Sequence, residues 1–230
     1  MTFKKLRDAH SNTLSKALII ITASIIVLGL VIGVAYHFLN QPGNTELSQA
    51  EYSNYPQLKS SIDADDDGID DQNDVLQNAR EWLSSDREYK NEYFSCGYPD
   101  NGTGVCADVV AWSMLHAGYD LRALINEDIA KDKAAYNIVV PDENADFRRV
   151  ETQHIWFKRN TIELATDTND GQAWQGGDIV VFKDSIGIIS DKRNENGVPY
   201  VLHFIESSKN WEEDILEGNK GVICHYRISE

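Results

Sequence analysis

The residue best placed for covalent chemistry in this chain is a cysteine. Cys106 stands in the stretch Gly104-Val105-Cys106-Ala107-Asp108-Val109-Val110-Ala111-Trp112. A glycine-bearing turn leads into it and an apolar helical pattern follows at once, which predicts Cys106 in the first turn of a helix. Backbone N–H groups there lack intrahelical partners, and the helix dipole favours negative charge. A thiolate is the nucleophilic form of cysteine, and such a position lowers the thiol pKa. With a histidine brought alongside from elsewhere, this is the arrangement of a cysteine hydrolase. The competing reading is a small apolar core residue, because free cysteine is among the most buried residue types.

A nucleophilic Cys106 needs a base. The chain has six histidines: His10, His37, His116, His154, His203 and His225. His116 falls off the apolar stripe of the Cys106 helix and reads as partly exposed. Only His203 and His225 fall in predicted strands, where a rigid partner is expected. His203, flanked by apolar residues, is the better candidate. The competing reading is a buried histidine bonded to backbone.

A second constellation is acidic. Asp63-Ala64-Asp65-Asp66-Asp67-Gly68 has the Asp-x-Asp-x-Asp-Gly opening of a calcium loop. Asp63, Asp65 and Asp67 fill loop positions 1, 3 and 5, and Gly68 permits the sharp turn. The Ile69 carbonyl fills position 7, Asp71 position 9 and Asp74 position 12. Position 12 is Asp where the EF-hand has Glu, and no helix precedes the loop. Carboxylates this close repel one another unless a cation sits among them. The expected cofactor is therefore a structural calcium ion that stiffens the entry to the domain; the alternative is an acidic, solvated linker end. Farther on, Arg148 or Arg149 in a dense polar segment could clamp a substrate carboxylate, although an internal Asp–Arg network is the better-supported reading.

The elements that must position these residues begin with a membrane anchor. Residues 17–39 carry no charge and are long enough to cross a bilayer at about 1.5 Å per residue. Lys4, Lys5, Arg7 and Lys16 precede the span, so the tail, residues 1–16, is expected in the cytoplasm and the body outside the cell membrane. A cleaved signal peptide is the alternative. Residues 40–61 read as a linker, residues 62–74 as the acidic loop and residues 75–230 as the extracellular domain. The formal charge is −16, with residues 1–40 at +3 and the remainder at −19. So acidic a body excludes nucleic acid as a partner. Of three cysteines, Cys96 and Cys224 are the only pair that would spare Cys106; the sequence leaves their pairing open.

Within the domain, helices are expected over 74–84 with Asn73 or Asp74 as N-cap, 106–117 ended by Gly118, from Asp120 onward, and about 150–160. Strands are expected at 177–182, 185–190, 200–205 and 222–228. Helices first and sheet last give an α+β class. If the hairpin turned by Asn194–Gly197 is regular, Asp191 opposes Tyr200 and Ser185 opposes Glu206, which puts Ser185 on the face away from His203.

From about residue 63 to the C-terminus the chain resembles the DUF1287 family, a relative of the NlpC/P60 cysteine peptidases of papain-like fold. The pieces that carry the resemblance are Gly97-Tyr98-Pro99, Gly104-Val105-Cys106-Ala107-Asp108-Val109, Asp120-Leu121, the run from Pro141 to Val150, Gly177-Asp178-Ile179-Val180, Ile186-Gly187-Ile188-Ile189-Ser190-Asp191 and His225-Tyr226-Arg227. The acidic loop also looks like that of membrane-anchored members from single-membrane bacteria. The NlpC/P60 group cleaves amide bonds in peptidoglycan stem peptides. The resemblance implies Cys106 as nucleophile, a base histidine opening the second strand and a third polar residue on the next. His203 matches the third position. The base position holds Ser185, and serine is no base near neutral pH; Glu206, expected beside it, is a carboxylate alternative. Three functions are thus open: a wall amidase or endopeptidase with a modified dyad, a wall-peptide-binding pseudoenzyme, and a calcium-stiffened surface module.

Overall fold

A computed structural model describes residues 55–229, apart from 209, 219 and 220. The predicted tail, the predicted membrane span at 17–39 and the linker up to residue 54 lie outside the described residues. Among the described residues, no helix is long and apolar enough to cross a membrane.

The architecture is α+β. Helix α1 spans Asp71–Ser84, α2 Cys106–His116, α3 Leu121–Lys131 and α4 Val150–Asn160, with a 3-10 turn at Asp146–Arg148. Two short strands, β1 (Glu88–Tyr89) and β2 (Thr103–Gly104), pair in parallel. The main sheet is antiparallel. It contains β3 (Ile162–Leu164), β4 (Ile179–Phe182), β5 (Ile186–Arg193), β6 (Pro199–Leu202), β7 (Glu212–Glu213) and β8 (Val222–Arg227), in the order β3-β8-β4-β5-β6-β7.

The continuous apolar run Ile179-Val180-Val181 is explained by a sheet covered on both faces. Ile179, Val181, Ile186, Ile188, Leu202 and Tyr226 pack with the helices in the larger core. Val180, Ile189 and Val201 point the other way, onto Trp174 and Leu216. Most of the expected elements are present, with boundaries shifted by a few residues. Asp120 caps α3 by accepting from the Arg122 and Ala123 N–H groups, and the chain leaves α2 through Gly118 at φ +86°.

Three expectations need correction. Helix α1 starts a turn earlier than its apolar stripe, because Asp70, not Asn73 or Asp74, accepts from the Asn73 N–H as N-cap. Asp71 and Asp74 are therefore helix residues. The predicted linker ends too late: Gln57 donates to the Gly176 carbonyl at 2.8 Å, Leu58 N–H to Gln175 at 2.9 Å, and Ser60 and Ser229 hydroxyls meet at 2.6 Å. Residues 55–61 thus belong to the folded body. Finally, the β5–β6 hairpin is irregular. Arg193 pairs with Pro199, but beyond a bulge Ile189 pairs with Val201 and Ile188 with Leu202. Strand β5 advances four residues between these pairs while β6 advances two, so the pairing beyond the bulge lies one residue away from the regular register, and a one-residue change exchanges the faces. A Cβ on Gly187 would lie 3.4 Å from His203 Cβ, so Gly187 and His203 share a face, and Ser185, two residues on, shares its parity.

Candidate active site

Val105 cannot cap α2 with its side chain, so another group must satisfy the helix start. Asp108 takes the Val105 N–H at 2.8 Å. Arg148 then grips Asp108 through two hydrogen bonds of 2.6 and 2.9 Å, with both side chains almost fully buried. Arg148 also donates to the Glu92 carbonyl at 2.6 Å and lies over the Phe94 ring. Of the two arginines considered for a substrate, Arg148 is therefore committed to holding the Cys106 turn. Arg149 is exposed, its nearest acid being Asp146 at 3.7 Å.

Cys106 opens α2 and is 5% exposed, at the floor of a cleft of about 480 Å³. Tyr89, Asn91, Tyr93, Arg149 and Asp184 are among its walls. Burial pushes the thiol pKa up; the N–H groups of Ile186 and Ala107 pull it down by less. The helix-start position was expected to lower it. Desolvation of a thiolate outweighs the backbone dipoles here, so the sulfur carries its proton at neutral pH.

Among the described residues, no hydrogen bond joins a histidine to Cys106. His203 is 2% exposed, with one ring nitrogen 2.9 Å from Glu213 and the other 3.5 Å from the Ser208 hydroxyl. Its pKa is lowered, because burial disfavours the charged ring more than Glu213 stabilises it. His225 is sealed in the core, bonded to Asp178 at 2.7 Å and the Ala165 carbonyl at 3.0 Å and stacked on Trp174. His116 is exposed and stacks on Trp112. Ser185 and Glu206 line a neighbouring cavity of about 530 Å³, which shares Tyr89 and Asp184 with the Cys106 cleft. Sequence reasoning missed both shared residues: β1 is too short to show a period, and Asp184 reads as ordinary turn chemistry.

In the acidic loop, ligand atoms of Asp63, Asp65 and Asp67 lie within 4.8 Å of one another. Gly68 N–H donates to Asp63 at 2.9 Å with φ +94°, as the sharp turn requires. Ile69 donates its N–H to Asp67 at 2.8 Å. Asp74 is buried at the edge of the triad. Its pKa is pushed up to about 6, first by burial and then by repulsion from Asp65 and Asp67. Asp71 does not join the triad; it is engaged by the Ala64 N–H, the Tyr119 hydroxyl and Ser229. The three cysteines are free, Cys96 exposed and Cys224 buried, so these two do not pair.

A domain of unknown function, DUF1287, matches residues 76–228. The chain belongs to the DUF1287 family. It is also 34% identical over 166 residues to the uncharacterized protein YijF of Escherichia coli (strain K12), a stretch covering 66% of this chain and 80% of that protein. No solved structure matches the chain. Several of the DUF1287-like pieces are structural. Tyr98 donates to Asp120 at 3.0 Å, and Asp178 gathers His225, both Arg227 bonds at 2.8 Å and Gln72 at 2.7 Å.

Proposed function

We propose that this DUF1287 chain carries a papain-like, NlpC/P60-related domain whose cleft receives a peptide of the bacterial cell wall, and in which amide hydrolysis is weak or lost. The observation that carries this reading is a helix-start cysteine at the floor of a cleft, with Ser185 where the resembled peptidases have their base. A protonated thiol attacks an amide only when a neighbouring group removes its proton. Serine cannot do so, and the His203 ring is occupied by Glu213 and Ser208. One observation favours a second reading, a hydrolase with a carboxylate base. Tyr89 and Asp184 line both the Cys106 cleft and the cavity that Glu206 lines, so the carboxylate faces a space adjoining the thiol.

On this reading residues 17–39 anchor the domain outside the cell membrane. Calcium would be held by Asp63, Asp65 and Asp67, with Asp74 adding charge beside them. A hard cation suits that all-oxygen donor set and relieves the repulsion felt at Asp74. The ion would stiffen the entry to α1. Calcium, but not magnesium, is expected to raise the melting temperature of the full chain, and Asp63→Asn with Asp65→Asn to abolish the rise; an equal response to both ions would remove calcium from the reading.

Peptide release from purified peptidoglycan tests the main proposal, comparing wild type, Cys106→Ala and Ser185→His with calcium present. The expected result is little or no release by wild type and release by Ser185→His. Release by wild type that Cys106→Ala abolishes would establish the carboxylate-base hydrolase instead. Silence from all three, with no retention of wall peptides, would overturn the wall-peptide reading.

A further inference from the structure

The cleft over Cys106 is asymmetric in charge once the satisfied ions are set aside. Arg148 is neutralised by Asp108 inside the core. Glu92 is paired with Lys90 at 2.5 Å. Three charged side chains remain. Arg149 lines the cleft, with its side chain 61% exposed and its one acid, Asp146, beyond hydrogen-bond length at 3.7 Å. Asp184 lines both the cleft and the adjoining cavity, and Glu206 lines that cavity with the hydroxyl-bearing Ser185 and Ser207. Neither Asp184 nor Glu206 has an ion pair or hydrogen bond among the described residues, and Lys183 lines neither space.

The cation and the two acids come from different elements. Arg149 follows the 3-10 turn that Arg148 pins to α2. Asp184 sits in the tight β4–β5 turn closed by the Phe182 N–H to the Ser185 carbonyl at 2.8 Å. Glu206 follows β6 in the turn closed by the Ser208 N–H to the Ile205 carbonyl at 3.0 Å. Each is carried on short, hydrogen-bonded backbone, so the separation of charge is built into the fold. The combined space has the volume of a small-ligand site. Serine at position 185 also leaves its end open, with hydroxyls and carboxylates that accept from a donor cation.

We infer that the cleft selects a zwitterionic peptide, with a carboxylate held by Arg149 and a primary ammonium held by Asp184 and Glu206, the backbone between them passing over Cys106. A guanidinium pairs with a carboxylate in two-point geometry, whereas an ammonium is a compact charge satisfied by several oxygens. This inference rests on the reading of the cleft as a wall-peptide site and adds to it which peptide ends are recognised.

The test is calorimetric binding to the full chain, with soluble stem peptides released from peptidoglycan as probe. They are offered untreated, with amines acetylated, or with carboxyls amidated. For wild type, each block is expected to weaken binding by about ten-fold, as loss of a charge-assisted contact does. Arg149→Gln should bind amidated and untreated peptides alike while still rejecting acetylated ones. Asp184→Asn combined with Glu206→Gln should show the converse. All three positions are exposed, and unchanged melting temperatures verify folding. Equal binding of blocked and untreated peptides by wild type would overturn the charge assignment but leave the wall-peptide reading standing. No binding of untreated peptide would overturn both. A variant that loses selectivity at the wrong end would reverse the assigned orientation and so overturn the inference.

Discussion

Cys106 and Arg148 illustrate how a residue's surroundings set its role. A thiol whose pKa is raised by burial reacts slowly at neutral pH, because little thiolate is present. Iodoacetamide labelling of Cys106 is therefore expected to be slower at pH 7 than that of a free thiol, and to rise with pH beyond the ordinary thiol value of about 8.5. Ser185→His should speed it at pH 7. Labelling of wild type faster than glutathione would place a thiolate in the cleft and contradict the burial argument. Arg148 lies deeper. Truncating one partner of a buried ion pair leaves the other charged and unpaired, at a cost of about 3–5 kcal/mol. Arg148→Ala should lower unfolding free energy in denaturant by about that much and disorder the start of α2, whereas Arg149→Ala should leave stability within about 0.5 kcal/mol. Equal effects would mean that the Asp108 clamp is not what holds the cysteine turn.

At the scale of elements, the close approach of α1 to the sheet is controlled by one backbone position. Gly177 has φ +93°, and a Cβ there would come within 2.0 Å of the Gln72 carbonyl oxygen on α1. Neither side is a flexible side chain, so backbone must move. Gly177→Ala is expected to destabilise the domain by more than about 2 kcal/mol, beyond the usual cost of an alanine at positive φ. A thermal melt near wild type would show that α1 can retreat without loss. The same contact region holds Gln72 on Asp178 and Gln57 on Gly176, so residues 55–61, α1 and β4 are expected to lose their hydrogen-exchange protection together in the variant.

For the whole molecule, acid stability follows from two histidines, His203 buried and His154 half-buried. The pKa values of His203 and His154 are held below the ordinary imidazole value, in each case chiefly by burial. An unfolded histidine titrates at about 6.5. As pH falls through that value, the unfolded chain takes up protons that the folded chain refuses, so stability is lost. Above it their contribution is fully present. Asp74 works in the opposite direction, since its folded value is raised to about 6 and acid relieves its charge. Comparing wild type with His203→Gln isolates the histidine: the variant should lose less unfolding free energy between pH 7.5 and pH 5. An equal loss would mean that the Glu213 contact keeps the ring protonated in the fold.

What was legible in the sequence was whatever depends on local pattern. Helical spacing after Cys106, Asp120 before an apolar run, and apolar stretches such as Ile179-Val180-Val181 each declare an element through contacts a few residues apart. The Asp-x-Asp-x-Asp-Gly opening declared its turn, because the aspartates and Gly68 act within one loop. The family could also be read from motifs in order. The rest required tertiary structure, because it depends on groups far apart in the chain. The bulge between Ile189 and Arg193 has no composition signal, yet it sets the register that brings Gly187 beside His203. Which of Arg148 and Arg149 keeps an uncompensated charge at the cleft depends on Asp108, forty residues from Arg148. The protonation of Cys106 follows from its depth of burial, which local sequence does not encode. Position in the chain identified the cysteine, while desolvation and the partners of each histidine decided what its sulfur can do.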